Sequence, residues 1–487
     1  MISSGISRIA RWSLLAGCAA LLAAPAYADD LREALVMAYN TNPTLQSARA
    51  QQRATDEGVP IARAAGLPSA SSNVTYTEFT SRSGSAASAT APGRNFDVGL
   101  SLNVPLYTGG SVKNSVRAAE TRVVAGQADL RGTESDVFVQ VVTAYMDVLL
   151  AQQVVKLNQG NVERLQVNLQ ATRDRFEIGD LTRTDVAQSD SRLAVARGQL
   201  RSAEANLIAA RERYIQVVGK EPVDLKAPPP LIGLPESAEV AVAYALDHNP
   251  DLLAVQQRAK AAGYDVRVAG ASRMPRVSLF AGGDYTDYFG TLGGVNAPLL
   301  DQSGTSSQAG VRATIPLFQG GAPAAQRRAA QAREDATLEQ QVAIERAVIS
   351  TVRSAYAQWQ ASLSLITSSQ TAVDAATLSL EGVRAENTVG NRTILDILNA
   401  EQELLSAQVQ LETARRNAYV AGFNLLAAMG KAEARDLGLD GGILYDPEVN
   451  ADRVRGKVWD WSNDPDPTVE STRTVDTRAQ NGSVTSP

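Results

Sequence analysis

The stretch Val104-Pro105-Leu106-Tyr107-Thr108-Gly109-Gly110 decides the architecture, because it returns 211 residues later as Ile315-Pro316-Leu317-Phe318-Gln319-Gly320-Gly321. The same offset carries Ala144-Tyr145 to Ala355-Tyr356, Gly179 with Asp185-Val186 to Gly390 with Asp396-Ile397, and Gly219-Lys220 to Gly430-Lys431. Upstream the offset is 207, from Asn42-Pro43 to Asn249-Pro250 and from Leu67-Pro68 to Met274-Pro275. One insertion of four residues between 275 and 315 reconciles the two values. The chain therefore reads as an internal duplication. The expected repeats are 29–226 and 237–440, joined by the linker 227–236 and followed by a tail, 441–487. Low aliphatic content in the last 20 residues predicts disorder there.

Just before the first copy of that stretch, the hydrophobic period is two. Phe96, Val98, Leu100, Leu102 and Val104 alternate with Asn95, Asp97, Gly99, Ser101 and Asn103. Val311, Ala313 and Ile315 repeat the pattern, and Val74 with Tyr76 and Val277 with Leu279 and Ala281 supply companions. Two hairpins follow, at about 68–105 and 275–316. Strands of about ten residues with one apolar face suit a membrane barrel, though a half-buried soluble hairpin has the same pattern. Four strands cannot close a membrane barrel, which needs at least eight, and open edges are not allowed in lipid. If these strands enter a membrane, several chains must share one barrel.

Elsewhere the period is seven. Val141, Val148, Val155, Val162, Leu169 and Phe176 form one row, matched by Val352, Trp359, Ile366, Val373, Leu380 and Asn387. Val186, Leu193, Leu200, Leu207 and Tyr214 form another, matched by Ile397, Leu404, Leu411, Ala418 and Leu425. This is the signature of long helices packed side by side. A helix over 111–175 is about 98 Å long at 1.5 Å per residue. Segments 32–64 and 184–217 together match that length if stacked end to end. Gln152, Gln159 and Gln166, read as alternate core positions, fit a wide helical barrel with a wet interior, and an exposed rod is the alternative.

Of 487 residues, one is Cys and one is His, and the net charge is -6. Zinc sites built on several histidines and a cysteine nucleophile in the mature chain are excluded on these counts. The glycine motifs lack phosphate-loop spacing, so no cofactor is expected. The mild acidity gives no reason to expect nucleic acid. Residues 1–28 read as a secretory signal: Arg8 and Arg11, an apolar core, and Ala26-Tyr27-Ala28 before the cleavage point. Leu15-Ala16-Gly17-Cys18 offers a competing lipoprotein site. Past the leader, no run is read as long and apolar enough for a membrane helix.

These blocks resemble the TolC family of outer-membrane channel proteins. The resemblance rests on the Asn-Pro openings, the two Pro-Leu-aromatic-x-Gly-Gly strand ends, and two hairpin tips, Arg175 to Val186 and Val389 to Leu398. It covers about 30–440 and implies a fold of mixed α and β. In that fold a homotrimer forms a 12-stranded outer-membrane barrel, four strands per chain, continued by a long periplasmic helical barrel. It further implies a passive exit duct, not an enzyme, in a tripartite efflux pump or type I secretion system. The implied partners are outer-membrane lipid, a periplasmic adaptor and an inner-membrane transporter of RND or ABC type. In the family a Thr-Asp pair on the first tip bonds to an Arg and a Tyr on the second. Thr184-Asp185 and Arg392 match, and Asn387 stands at the Tyr position. Of two carboxylates that narrow the pore, Asp396 is present and Asn399 replaces the other, so a trimer carries three ring carboxylates instead of six. The turns Ile178-Gly179-Asp180 and Val389-Gly390-Asn391 match the tips that adaptors contact.

From the residues alone, Asp185 and Asp396 read equally well as helix N-terminal acids favoured by the dipole. Arg392 reads equally as an exposed arginine. A periplasmic coiled-coil adaptor is the rival function, but the period-two strands count against it. A carboxylate-based hydrolase finds no clustered acid pair outside the tips.

Overall fold

The computed structural model describes residues 30–81, 91–293, 298–439 and 444–484. The leader, Cys18 and parts of both strand-connecting loops lie outside the described residues. Each repeat gives short helices, a β-hairpin and a long helical hairpin. In the first these are α1 (Leu31–Thr41), α2 (Pro43–Asp56), α3 (Gly58–Ala64), β1 (Ser69–Glu78), β2 (Arg94–Tyr107), α4 (Ser111–Glu177) and α5 (Arg183–Val218). In the second they are α6 (Ala238–His248), α7 (Pro250–Gly270), β3 (Arg276–Asp287), β4 (Ser303–Thr314), α8 (Ala322–Thr388) and α9 (Ile394–Met429). Helix α10 (Pro447–Arg455) opens the tail.

The strands form one antiparallel sheet in the order β1-β2-β3-β4. Its register aligns the apolar residues of all four strands. Val74 pairs with Val98 and Val98 with Tyr285; Val104 pairs with Leu279 and Leu279 with Val311. The opposite face is polar: Thr286 Oγ1 donates to Asp97 Oδ1 at 2.6 Å, and Ser71 and Ser101 share a hydrogen bond of 2.7 Å. Leu100, mid-strand and 63% exposed, belongs to the apolar face. Leu100→Arg is therefore expected to cost about 2–4 kcal/mol of barrel stability. Comparative unfolding from bilayers measures it, and a neutral result would place the wrong face in lipid.

At the foot of each hairpin the chain turns from strand into long helix. Gly109, Gly110, Gly320 and Gly321 take φ of 65°, 82°, 59° and 81° there. A Cβ is strained at these angles, which accounts for the repeated Gly-Gly.

Helices α4 and α8 have 67 residues each, about 100 Å long. Each folds back onto a 36-residue partner, α5 or α9. The remaining length is made up by stacking. Asn42 caps α2, accepting from the N–H of Thr44, and its Nδ2 donates to Val217 O at the end of α5 at 2.8 Å. Asn249 likewise caps α7 and donates to Ala428 O at the end of α9 at 3.0 Å. The Asn-Pro pair thus starts a helix and seats it on the end of another. It also breaks the segments expected to be continuous over 32–64 and its counterpart, since Pro has no N–H to give an upstream turn. Tyr145 Oη donates to Lys226 O at 2.7 Å and Tyr356 Oη to Glu236 O at 2.9 Å. The repeated tyrosines peg both ends of the linker.

Of the seven-residue row in α4, Val141, Val148, Val155, Val162 and Leu169 are buried, while Phe176 is exposed near the tip. The second core row differs from expectation. Gln159 and Gln166 are exposed, and the buried positions are Asn158, Leu165 and Thr172. A seven-residue row has flanks three and four residues on, and composition alone does not tell which one α5 covers. In hydropathy α4 also differs from expectation: by length and composition it contains an 18-residue window apolar enough to cross a membrane. The helix spends its apolar surface internally, where Val137, Phe138, Val142 and Tyr145 pack against Leu35, Leu45 and Tyr214.

The tail is not free. Asn450 of α10 donates to Asp56 Oδ2 at 2.7 Å. Further on, the Arg478 N–H donates to Glu221 at 2.8 Å, the Gln480 N–H to Glu212 at 3.1 Å, and Arg211 to Asn481 O at 2.6 Å. Among the described residues of the tail, 478–483 are thus bonded to charged side chains of 211–221 in place of the expected disorder, and 485–487 lie outside the described residues.

Candidate functional site: the paired hairpin tips

The tips lie at the ends of the long helices farthest from the sheet. Both are built alike. The Asp180 N–H donates to Arg175 O and the Asn391 N–H to Glu386 O, each at 2.9 Å. With Gly179 at φ 83° and Gly390 at φ 82°, these bonds make Schellman turns that close α4 and α8. Ile178 is 80% exposed and Val389 71%, so each tip presents one aliphatic side chain to solvent.

Each return helix starts with a capping box. Thr182 N donates to Asp185 Oδ2 at 2.9 Å and Asp185 N to Thr182 Oγ1 at 3.3 Å. Thr393 and Asp396 repeat the arrangement at 2.9 and 3.3 Å. Bonds from Thr182 hold the Asp185 carboxyl below the usual carboxylate range, and bonds from Thr393 do the same for Asp396. The dipole reading of these two acids is thus realised within the chain. Each is ionised at neutral pH and keeps one oxygen outside its cap.

The expected gate residues are not brought together within one chain. Thr184 is exposed. Arg392 Nε donates to Glu386 Oε2 at 2.7 Å, and that hydrogen bond raises the Arg392 pKa. Asn387 Nδ2 donates to Arg392 O at 2.8 Å, so the residue at the Tyr position braces its own turn. Asn399 Oδ1 accepts from Arg192 Nη2 at 2.7 Å, which ties α9 to α5. Ile178 and Asp180 flank the first glycine; Asp180 is paired with Arg175 at 2.6 Å.

One group escaped sequence reasoning. Glu401 on α9 is buried and accepts from Arg384 Nη2 of α8 at 2.7 Å. Asn168 Nδ2 of α4 lies 3.0 Å from both Glu401 carboxylate oxygens. Glu401 thus joins both helices of the second hairpin to the first, next to the apolar cluster of Val162, Leu169, Leu193 and Leu398. The signal was present: Glu401 stands three residues after Leu398 and four before Leu405, inside the buried stripe of α9.

A four-stranded sheet with an apolar outer face, unable to close alone and continued by helices of about 100 Å, defines a share of a multichain membrane duct. The family model described as outer membrane efflux protein matches residues 34–220 and 241–431. The chain belongs to that family. It is 34% identical to the outer membrane efflux protein BepC of Brucella suis, over 91% of this chain and 93% of that one. It is 27% identical to the outer membrane protein TolC of Escherichia coli, over 84% of each. The fold matches the outer-membrane channel CmeC of Campylobacter jejuni with a TM-score of 0.73, at 16% identity over 88% of this chain and 89% of that one. The fold class read from the sequence stands: a 12-stranded outer-membrane barrel shared by three chains and continued by a helical barrel. The protein is an outer-membrane exit duct, a passive conduit and not an enzyme.

Proposed function

We propose that the two tips form the closed periplasmic entrance of this duct, and that Thr184, Asp185, Asn387, Arg392, Asp396 and Asn399 are its gate and constriction. The observation that carries the reading is the construction of the tips. Two matched turns end the long helices, and each sets an ionised carboxylate one turn into the return helix with an oxygen to spare. On this reading Arg392 exchanges Glu386 for Thr184 or Asp185 of a neighbouring protomer when the trimer closes. An arginine–carboxylate pair is stronger than the neutral bond left to Asn387. Arg392→Ser is therefore expected to raise basal conductance in planar bilayers. Unchanged conductance would mean that Arg392 serves only its own turn through Glu386.

The exposed Ile178 and Val389, with Gly179, Asp180, Gly390 and Asn391, are the contact points for a periplasmic adaptor, which links the duct to an inner-membrane transporter of RND or ABC type. The leader is cleaved after Ala28, and the chain crosses to the outer membrane as an exported protein. Ile178→Asp with Val389→Asp should abolish adaptor crosslinking and leave bilayer conductance intact. Retained crosslinking would move the docking site off the tips.

A further inference from the structure

Two of the chain's four tryptophans, Trp459 and Trp461, are 73% and 80% exposed, with Val458 exposed beside them. They sit on a built loop. Arg453 grips Asp464 with two parallel bonds of 2.7 Å, and Lys457 Nζ donates to the same carboxylate at 2.9 Å. The Ser462 N–H donates to Trp459 O at 3.1 Å and the Asn463 N–H to Trp461 O at 3.2 Å. The loop is thus closed at its neck, and the indoles stand at its apex.

The loop's place follows from α10. Asn450 bonds to Asp56, and Arg455 O accepts from Arg63 Nη1 at 3.1 Å. Helix α10 therefore advances along α2 and α3 in their own direction, toward Ser69, where β1 enters the barrel. Residues 458–461 follow the end of α10 that points that way. The strand ends at the barrel foot expose Leu106, Tyr107, Ile315, Leu317 and Phe318.

We propose that the Trp459–Trp461 loop inserts into the headgroup region of the periplasmic leaflet around the barrel foot. Indole has an apolar body and one N–H donor, which suits the boundary between acyl chain and water. The neighbouring charges nearly cancel. Arg453 and Lys457 face Asp464, Arg455 lies 3.7 Å from Asp452, and Asp460 stands between the indoles. Recognition therefore rests on the indoles, and zwitterionic phospholipid suffices.

The test uses the full-length trimer in phosphatidylcholine vesicles carrying bromine at shallow or deep acyl positions. Shallow bromines should quench tryptophan emission more than deep ones, without dependence on salt. Trp359→Phe should keep that quenching, because Trp359 lies on α8 far below the barrel, and Trp459→Phe with Trp461→Phe should lose it while the trimer persists. Emission unquenched by bromine but quenched by aqueous acrylamide would place the loop in water and overturn the proposal. Emission shielded from both would place it against a neighbouring protomer and overturn it equally.

Discussion

Arg384→Met is expected to loosen the second hairpin from the first by about 2–4 kcal/mol. Removing one partner of a fully buried ion pair costs about 3–5 kcal/mol, because a charge is left without compensation. Glu401 is buried, but Arg384 is about half in water, so the lower range applies. After the change, Asn168 alone faces a buried carboxylate. Hydrogen exchange reads the effect: amides of α9 near Leu398 to Leu405 should lose about 30-fold or more of their protection, at 1.4 kcal/mol per tenfold. Adding Glu401→Gln should restore most of it, because no charge then remains to be compensated. Wild-type protection in the single variant would show that Glu401 is not the tie between the hairpins.

Asp396→Asn is expected to remove most block by trivalent cations from the entrance side. A trivalent cation about 8 Å from one carboxylate is attracted by about 1.5 kcal/mol even at the dielectric of water. Three copies in the ring proposed for the entrance would exceed that, so the loss should be tenfold or more in blocking affinity. The Thr393 bonds set the pH dependence. A carboxyl whose pKa is lowered keeps its charge as pH falls through the ordinary carboxylate range. Block should therefore persist further into acid than an ordinary carboxylate would allow. Asn399→Asp should strengthen block less than a free carboxylate would, since Arg192 lies within hydrogen-bond reach of that position. Intact block in Asp396→Asn would remove Asp396 from the constriction.

Much of this fold was legible because each repeat states it again. The Asn-Pro, Gly-Gly and Ala-Tyr pairs each proved to mark a junction: a stacked helix start, a strand-to-helix turn, a peg on the linker. Period two gave the lipid face of all four strands, since a sheet's register keeps alternate residues on one side. The polar contacts were harder. Asp185 and Asp396 bond to threonines three residues before them, a local pattern visible in the sequence. Glu401 depends on Asn168, 233 residues away, and on Arg384 across a turn. Which flank of a seven-residue row meets the partner helix is likewise a tertiary matter, and the glutamines of α4 showed it.

Among the described residues, the two outer strands of the sheet, β1 and β4, have no strand partner for their outward backbone groups. In water those amides and carbonyls are hydrated at little cost; in hydrocarbon each unmet one costs several kcal/mol. A lone chain is thus better off outside the bilayer, and the first arrangement that tolerates lipid is the closed ring. Association and insertion then become one event, whose rate should rise steeply with the concentration of newly exported chains. The membrane would contain finished ducts and no inserted precursors.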